Sequence, residues 1–300
     1  MAKTLPDELR GAGFRGEIVA EAALGPMTTW RIGGPAEVLA TATDIDDLTG
    51  AVRWAEARGV PWRVLGNGSN LLVHDAGVRG LVLRLPKVRS VARTEGTTMV
   101  AEAGAGFPRL ARAAADLGLA GIEFGAGIPG SVGGAIVMNA GWHQFEIGNV
   151  VSRVTYLEGD GSIVEYDRDA CRFGYRTSAF RGRRGVVLGA ELALAPDDPA
   201  AVRERLARFA ESRKANQPTE LPSCGSVFLK PEGDFAGRLI EAAGLKGRRI
   251  GGIQVSEKHA NFFVNLGGGT AADAIALVEL VEQSVFEKFG VKLTREFEIW

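Results

Sequence analysis

Two cysteines, Cys171 and Cys224, and three histidines, His74, His143 and His259, are all that this 300-residue chain holds of either type. So few cysteines build no disulfide framework and point to a reducing compartment. The histidines are scattered, with no metal-ligand spacing among them, so no metal site is expected. Charge of one sign is missing too. Thirty-five basic against 36 acidic side chains leave a net charge of −1, without the positive footprint that nucleic acid requires. The Arg181-Gly-Arg-Arg184 cluster reads as a solvated turn. No apolar run reaches membrane-span length, and Met1–Arg10 has no apolar signal-peptide core. These absences lead us to expect a soluble, cytoplasmic, metal-free protein that binds neither nucleic acid nor membrane; a monomer is expected, though no sequence feature sets the oligomeric state.

Glycine, by contrast, is plentiful. The stretch Gly125-Ala-Gly-Ile-Pro-Gly-Ser-Val-Gly-Gly134 runs into Ala135-Ile-Val-Met-Asn-Ala-Gly141 between apolar flanks. Glycines admit positive φ and close approach, and Ser131 and Asn139 add short polar groups. Such a loop suits a cradle of N–H groups around a diphosphate, or a buried crossing of backbones. Gly125, Gly127 and Gly130 match the G-x-G-x-x-G dinucleotide fingerprint, but only the short run Ile122-Glu-Phe124 precedes it. Pro129 also biases Ile128 away from helix. A Rossmann site is not expected. A second glycine-polar loop, Gly66-Asn-Gly-Ser-Asn70, separates two strand-like runs. Alone it reads as a turn; paired with the first, it lets one long phosphate-bearing cofactor lie across both.

Patterning supplies the organisation. Strands are expected over Glu37–Thr41, Trp62–Leu65, Leu71–Val73, Leu81–Leu85, Met99–Ala103, Val186–Ala195 and Asn261–Leu266. Gly159-Asp-Gly161 joins Val150–Glu158 to Ile163–Asp167 as a hairpin. Helices are expected from Asp44 to Gly59, Phe107 to Leu119, Ala201 to Ala215, Phe235 to Ala243 and Thr270 to Phe289. The result is an α+β chain of three units: residues 1–86, 87–198 and 199–300.

Collinear motifs carry a family resemblance along essentially the whole chain. They are Thr29-Trp-Arg-Ile-Gly-Gly-Pro-Ala36, Gly66-Asn-Gly-Ser-Asn-Leu-Leu-Val73, Gly127-Ile-Pro-Gly-Ser-Val-Gly-Gly134 with Asn139-Ala-Gly141, and Phe173-Gly-Tyr-Arg-Thr-Ser178. Gly225-Ser-Val-Phe228 with Pro231, Ala236–Gly247, His259–Asn265 and Leu293-Thr-Arg-Glu296 follow in order. The set resembles the UDP-N-acetylenolpyruvoylglucosamine reductase (MurB) family. The resemblance implies two flavin-binding subdomains of the vanillyl-alcohol-oxidase type, then an α+β substrate-binding domain. It implies non-covalent FAD, NADPH as electron donor, and reduction of a UDP-sugar enolpyruvyl ether to UDP-N-acetylmuramate for peptidoglycan. The short segment between Arg176 and Gly225 is similar to the compact second type, so no tyrosine lid is assigned.

The same resemblance implies residue roles. Gly66, Asn67, Gly68, Ser69, Asn70, Gly127, Ile128, Pro129, Gly130, Ser131, Gly133, Gly134 and Asn139 would hold FAD. Arg176 would meet the substrate carboxylate, Ser226 would donate a proton, and Glu296, its pKa raised by burial, would be an electrophilic partner. Tyr175, Lys214, Lys230, Arg238 and His259 would contact the UDP-sugar. Each also has a duller reading: a surface ion pair for Arg176, a turn cap for Ser226, an exposed carboxylate for Glu296. Cys224 is expected to be a bystander. Several flavin oxidases of the same fold tether FAD to His or Cys, which neither loop contains, and a non-catalytic nucleotide-sugar binder leaves the three polar residues unexplained.

Overall fold

Asp44 and Gly59 bracket the helix Ile45–Arg58 as its pattern requires. The Asp44 carboxylate caps the N–H of Asp47, and Gly59 closes the other end at φ 64°, a left-handed conformation cheap only for glycine. The computed structural model describes residues 3–85, 91–93 and 96–300. Contacts divide the chain into two units. The first is Met1–Ala20, Val38–Asn67 and Arg79–Glu211; the second is Glu21–Glu37, Gly68–Val78 and Ser212–Trp300.

Most of a four-stranded sheet belongs to the first unit, in the order Glu17–Ala23, Pro35–Thr41, Val78–Arg84, Trp62–Leu65. The last two strands run parallel, joined through residues 66–77, while the Ile45–Arg58 helix connects Pro35–Thr41 to Trp62–Leu65. That helix buries Leu48, Ala51, Val52 and Ala55 against Val38, Ala40, Leu81 and Leu83. A second sheet has the order Ile163–Asp167, Val151–Glu158, Gly185–Ala193, Thr98–Glu102, Val91–Arg93, with every pair antiparallel. The expected Gly159-Asp-Gly161 turn joins its first two strands. The helix Phe107–Asp116 and a short helix Val132–Val137 supply Phe107, Leu110, Ala114, Val132 and Ile136 to this second core.

The second unit is organised on four antiparallel strands, Ser223–Ser226, Phe262–Asn265, Ile253–Val255 and Arg249–Ile250. The helices Ala236–Ala242 and Ala271–Phe289 close its core through Leu239, Ile240, Leu277, Val278 and Val281. Trp30 and Ile32 join this core from the early part of the chain, and Trp30 meets Phe297 edge-to-face at 5.5 Å. Hydrophobic burial therefore forms three separate clusters, two in the first unit and one in the second. The expected boundary at 86/87 lies outside the described residues.

Among the elements not expected from patterning are the strand Glu17–Ala23, the pair Arg249–Ile250 and Ile253–Val255, the strand Ser223–Ser226, and the helices Leu5–Gly11 and Val132–Val137. The helix Leu5–Gly11 carries a readable signal. Thr4 and Asp7 form a capping box around Pro6. The strand Glu17–Ala23 has no readable signal, since only Ala22 of its seven residues is buried.

One buried carboxylate ties the N-terminal segment to the first sheet. Asp47, 5% exposed, accepts from the backbone N–H groups of Arg15 (2.8 Å), Gly16 (3.0 Å) and Thr43 (2.9 Å). Its removal leaves three donors without their acceptor, and an unsatisfied buried group costs about 1–3 kcal/mol. Asp47→Ala is therefore expected to lower unfolding free energy by roughly 2–4 kcal/mol in a urea titration. A loss inside the scatter of surface substitutions would refute this account of the segment.

Candidate active site

The glycine loop is part packing and part open surface. The run Ile122-Glu-Phe124 makes no strand. It leads into a 3-10 turn, Glu123–Gly127, so the G-x-G-x-x-G spacing sits on no βαβ unit. Gly125 and Gly133 are closed to side chains. A Cβ on Gly125 would stand 3.0 Å from the Phe107 ring, and one on Gly133 2.9 Å from the Ala103 Cβ. The N–H groups of Val132 and Gly133 donate to Ala105 and Ala103. Ser131, buried, caps the Val132–Val137 helix by accepting from the Gly134 N–H. Accessible backbone remains over Gly127–Gly130 and at Gly134.

The second loop leaves the strand Trp62–Leu65. Within the first unit its Gly66 abuts the glycine loop, since a Cβ there would lie 2.7 Å from the Ser131 Oγ. Among the described residues, no protein acceptor reaches the N–H groups of Asn67, Gly68 or Ser69. In the second unit Gly68 turns at φ 60° against the Met27 carbonyl, 2.6 Å from where a Cβ would be, and its own carbonyl accepts from the Thr29 N–H. Gly33 and Gly34 of the Thr29–Ala36 motif pack as tightly on Val73 and Asp75.

Asn139 has its side chain committed inside the protein. At 1% exposure and φ 44°, it donates to Glu146 Oε2 (2.8 Å) and the Gly174 carbonyl (2.9 Å) and accepts from the Gly148 N–H (2.9 Å). Any cofactor contact at this position falls to its backbone. Arg176 stands nearby in the same unit, also left-handed at φ 52°. Its Nη2 donates to the Gly141 carbonyl at 2.8 Å, and its guanidinium lies 5.1 Å from the Tyr175 ring centre. Tyr175 is 51% exposed. Non-glycine residues in this conformation cost about 1–3 kcal/mol each and persist where the surroundings over-determine them.

Ser226 and Glu296 come together within the second unit. Gly225, at φ 83°, lies in an irregularity where Ser223 pairs with Val264 and Ser226 with Phe262. A glycine bulge of this kind re-aims the next side chain. The Glu296 N–H donates to the Val227 carbonyl (2.9 Å), and Phe228 bridges Arg295, so the two residues occupy adjoining backbones. Asn70 reaches the same place, its side-chain amide donating to the Glu296 carbonyl at 3.3 Å. Cys224 is buried. Burial first, and then the Glu296 charge, push its thiol far above the ordinary range, so it is no thiolate nucleophile.

The substrate candidates differ in how engaged they are. Lys230 is exposed, its Nζ 4.5 Å from the centre of the Phe235 ring. Arg238 grips Asp234 through both carboxylate oxygens, which holds that acid down at about 2. Lys214 is exposed, and its backbone carbonyl accepts from Lys258 Nζ. His259 is half-buried. Burial holds its pKa below the ordinary value, and its Nδ1 accepts from the Asn261 N–H, so it is a neutral ring near pH 7. Among the described residues no group of acidic, histidine or cysteine side chains is arranged to hold a metal ion, and no helix is long and apolar enough to cross a membrane.

Comparison with known proteins decides the family. Residues 217–300 match the UDP-N-acetylenolpyruvoylglucosamine reductase C-terminal domain, and residues 36–167 match an FAD binding domain. The UDP-N-acetylenolpyruvoylglucosamine reductase of Rubrobacter xylanophilus is 49% identical over 273 residues, 91% of each chain. The chain belongs to the UDP-N-acetylenolpyruvoylglucosamine reductase family. The Moorella thermoacetica reductase is 44% identical over 96% of this chain and 95% of its own. The crystal structure of the Thermus caldophilus MurB superposes with a TM-score of 0.81 at 38% identity, covering 95% of this chain and 99% of that one. The fold is the flavin fold of the vanillyl-alcohol-oxidase type with a C-terminal α+β domain, and the chain is an FAD-dependent oxidoreductase of peptidoglycan precursor synthesis.

The loops fit that cofactor. Within the first unit Gly66 leaves no Cβ between itself and Ser131, and among the described residues the Asn67 N–H has no protein acceptor, as a diphosphate cradle requires. The sequence missed Glu146 and the Asn70–Glu296 link. No spacing signals either, because both partners meet only through tertiary folding. A methyl at Gly66 overpacks this junction, which costs about 1–3 kcal/mol. Gly66→Ala is expected to weaken FAD binding by roughly tenfold or more. The FAD absorbance retained after gel filtration measures it, and full retention would count against the cradle.

Proposed function

We propose that the chain reduces the enolpyruvyl ether of UDP-N-acetylglucosamine enolpyruvate to UDP-N-acetylmuramate, with NADPH as electron donor, through Arg176, Ser226 and Glu296. The observation that carries this reading is the adjoining placement of Ser226, behind a left-handed glycine, and Glu296 on paired backbone. FAD, when bound, would supply hydride chemistry at the terminal carbon of the enol ether. Arg176 meets the substrate carboxylate with a planar, always-charged fork and stabilises the charge that flows into it. Glu296 is the acid partner of that developing charge. Ser226 gives its hydroxyl proton to the carbon beside the carboxylate, so one hydride and one proton complete the reduction.

UDP-sugar contacts are assigned to Tyr175, Lys214, Lys230, Arg238 and His259. The exposure of Tyr175, Lys214 and Lys230 supports the assignment. Arg238 would have to trade its Asp234 partner for a phosphate, and a neutral His259 offers a hydrogen bond rather than a charge. The FAD assignments to Gly127, Ile128, Pro129, Gly130 and Gly134 draw support from the solvent exposure of these residues, whereas Ser131 and Gly133 support the loop from within. The division into residues 1–86, 87–198 and 199–300 is kept as part of this reading, although Trp30, Ile32 and Leu72 pack with the C-terminal core and Leu157, Val186 and Leu188 with the core of the early strands. Work as a monomer in the cytoplasm completes the reading; the two buried, unpaired cysteines support the reducing compartment.

Ser226→Ala separates the steps. Removing a positioned proton donor costs about 10²–10⁴-fold. Flavin reduction by NADPH should proceed at the wild-type rate while reoxidation by the enolpyruvyl sugar slows by at least about 100-fold in stopped flow. Equal slowing of both half-reactions would remove Ser226 from the proton-donor role.

A further inference from the structure

We propose that Glu146 is a positioning residue for Arg176: its carboxylate, anchored by Asn139, fixes the guanidinium in the orientation that receives the substrate carboxylate. The inference rests on the reading of Arg176 given above, and it uses a residue to which no role has so far been attached.

Glu146 sits at the end of the small hairpin Gly141–Trp142/Phe145–Glu146, directly opposite Gly141. Both ends of that pairing touch Arg176. The Gly141 carbonyl accepts from Nη2 at 2.8 Å, and Glu146 Oε1 lies 3.9 Å from Nη1. The other oxygen, Oε2, accepts from Asn139 Nδ2 at 2.8 Å. The same Asn139 amide nitrogen donates to the carbonyl of Gly174, two residues before Arg176. Asn139 thus holds the carboxylate and the arginine's own turn from one buried point. Arg181 adds a third restraint, donating through Nη1 to the Arg176 carbonyl at 2.8 Å.

This arrangement explains two local costs. Asn139 and Arg176 both adopt positive φ, which persists only where several contacts fix it. A long arginine free to rotate would also lose rotamer entropy on meeting its ligand. Fixing it beforehand moves that cost into folding. The ion pair is part-exposed, with side chains 19% and 25% accessible, so its value lies in aim rather than in pair energy. Asn139 closes the Val132–Val137 helix that ends the glycine loop, so the same hub anchors the loop's exit and the arginine.

Geometry rather than charge is the asserted cause, so an amide should substitute. Misplacement of a binding group costs up to about 100-fold. In Glu146→Ala the Kd of the oxidised holoenzyme for the enolpyruvyl UDP-sugar, measured by calorimetry without turnover, should rise roughly 10- to 100-fold. KM for the sugar should follow, while flavin reduction by NADPH, per bound flavin, stays at the wild-type rate. Glu146→Gln should recover most of the affinity. In an Arg176→Ala background, Glu146→Ala should add nothing further. Wild-type sugar affinity in Glu146→Ala, no recovery in Glu146→Gln, or a full additional loss in the double variant each overturns the proposal. Undiminished sugar affinity and reduction in Arg176→Ala alone would instead sink the reading of Arg176.

Discussion

The C-terminal strand is the constraint on which the second unit depends. Between Glu296 and Trp300 the backbone donates and accepts along two segments distant in sequence. Glu296 N–H pairs with Val227, Asn70 reaches the Glu296 carbonyl, Glu298 and Trp300 donate to Asn70 and Leu72, and His74 donates to the Trp300 carbonyl. The last residues lie parallel to Leu71–Leu72. Phe297, buried, seals the same place from the core side against Trp30. One strand thereby sets the position of the proposed acid, the exit of a flavin loop and the neighbour of Ser226. A shift of one residue would turn Phe297 outward and Glu296 into the core.

In the first unit the corresponding constraint is a set of strained, buried turns. Asn139 and Arg176 take left-handed backbone that ordinary residues avoid, and the bonds through Glu146, Gly141, Gly174 and Arg181 hold them there. Strain of this kind gathers where a group must be held ready rather than where a chain must merely turn. The first unit thus holds Arg176 on hydrogen-bonded, left-handed backbone, and the second holds Ser226 and Glu296 on adjoining backbone.

Much of this was legible in the sequence, for physical reasons that differ by element. Helices such as Ile45–Arg58 and Ala271–Phe289 carry their caps and periodicity locally, at Asp44, Gly59, Thr270 and Gly290. The hairpin at Gly159-Asp-Gly161 carries its turn. The strand Glu17–Ala23 does not, because its residues are mostly exposed and only pairing defines it. The glycine loop was legible as a place but not in its parts. Gly125 and Gly133 serve packing, a fact set by Phe107 and Ala103 far along the chain. Arg176, Ser226 and Glu296 stood out only as members of a collinear motif set. Glu146 stood out not at all, since its importance arises from what Asn139 and Arg176 do in space.

The central claim is that electrons held by this flavin are delivered to an enolpyruvyl UDP-sugar. Anaerobic titration of the reduced holoenzyme with that sugar tests it most directly. The account predicts full return of the oxidised flavin spectrum at one sugar per flavin, with the saturated lactyl ether as product. A flavin that stays reduced in the presence of the sugar, and reoxidises only when oxygen is admitted, would contradict it.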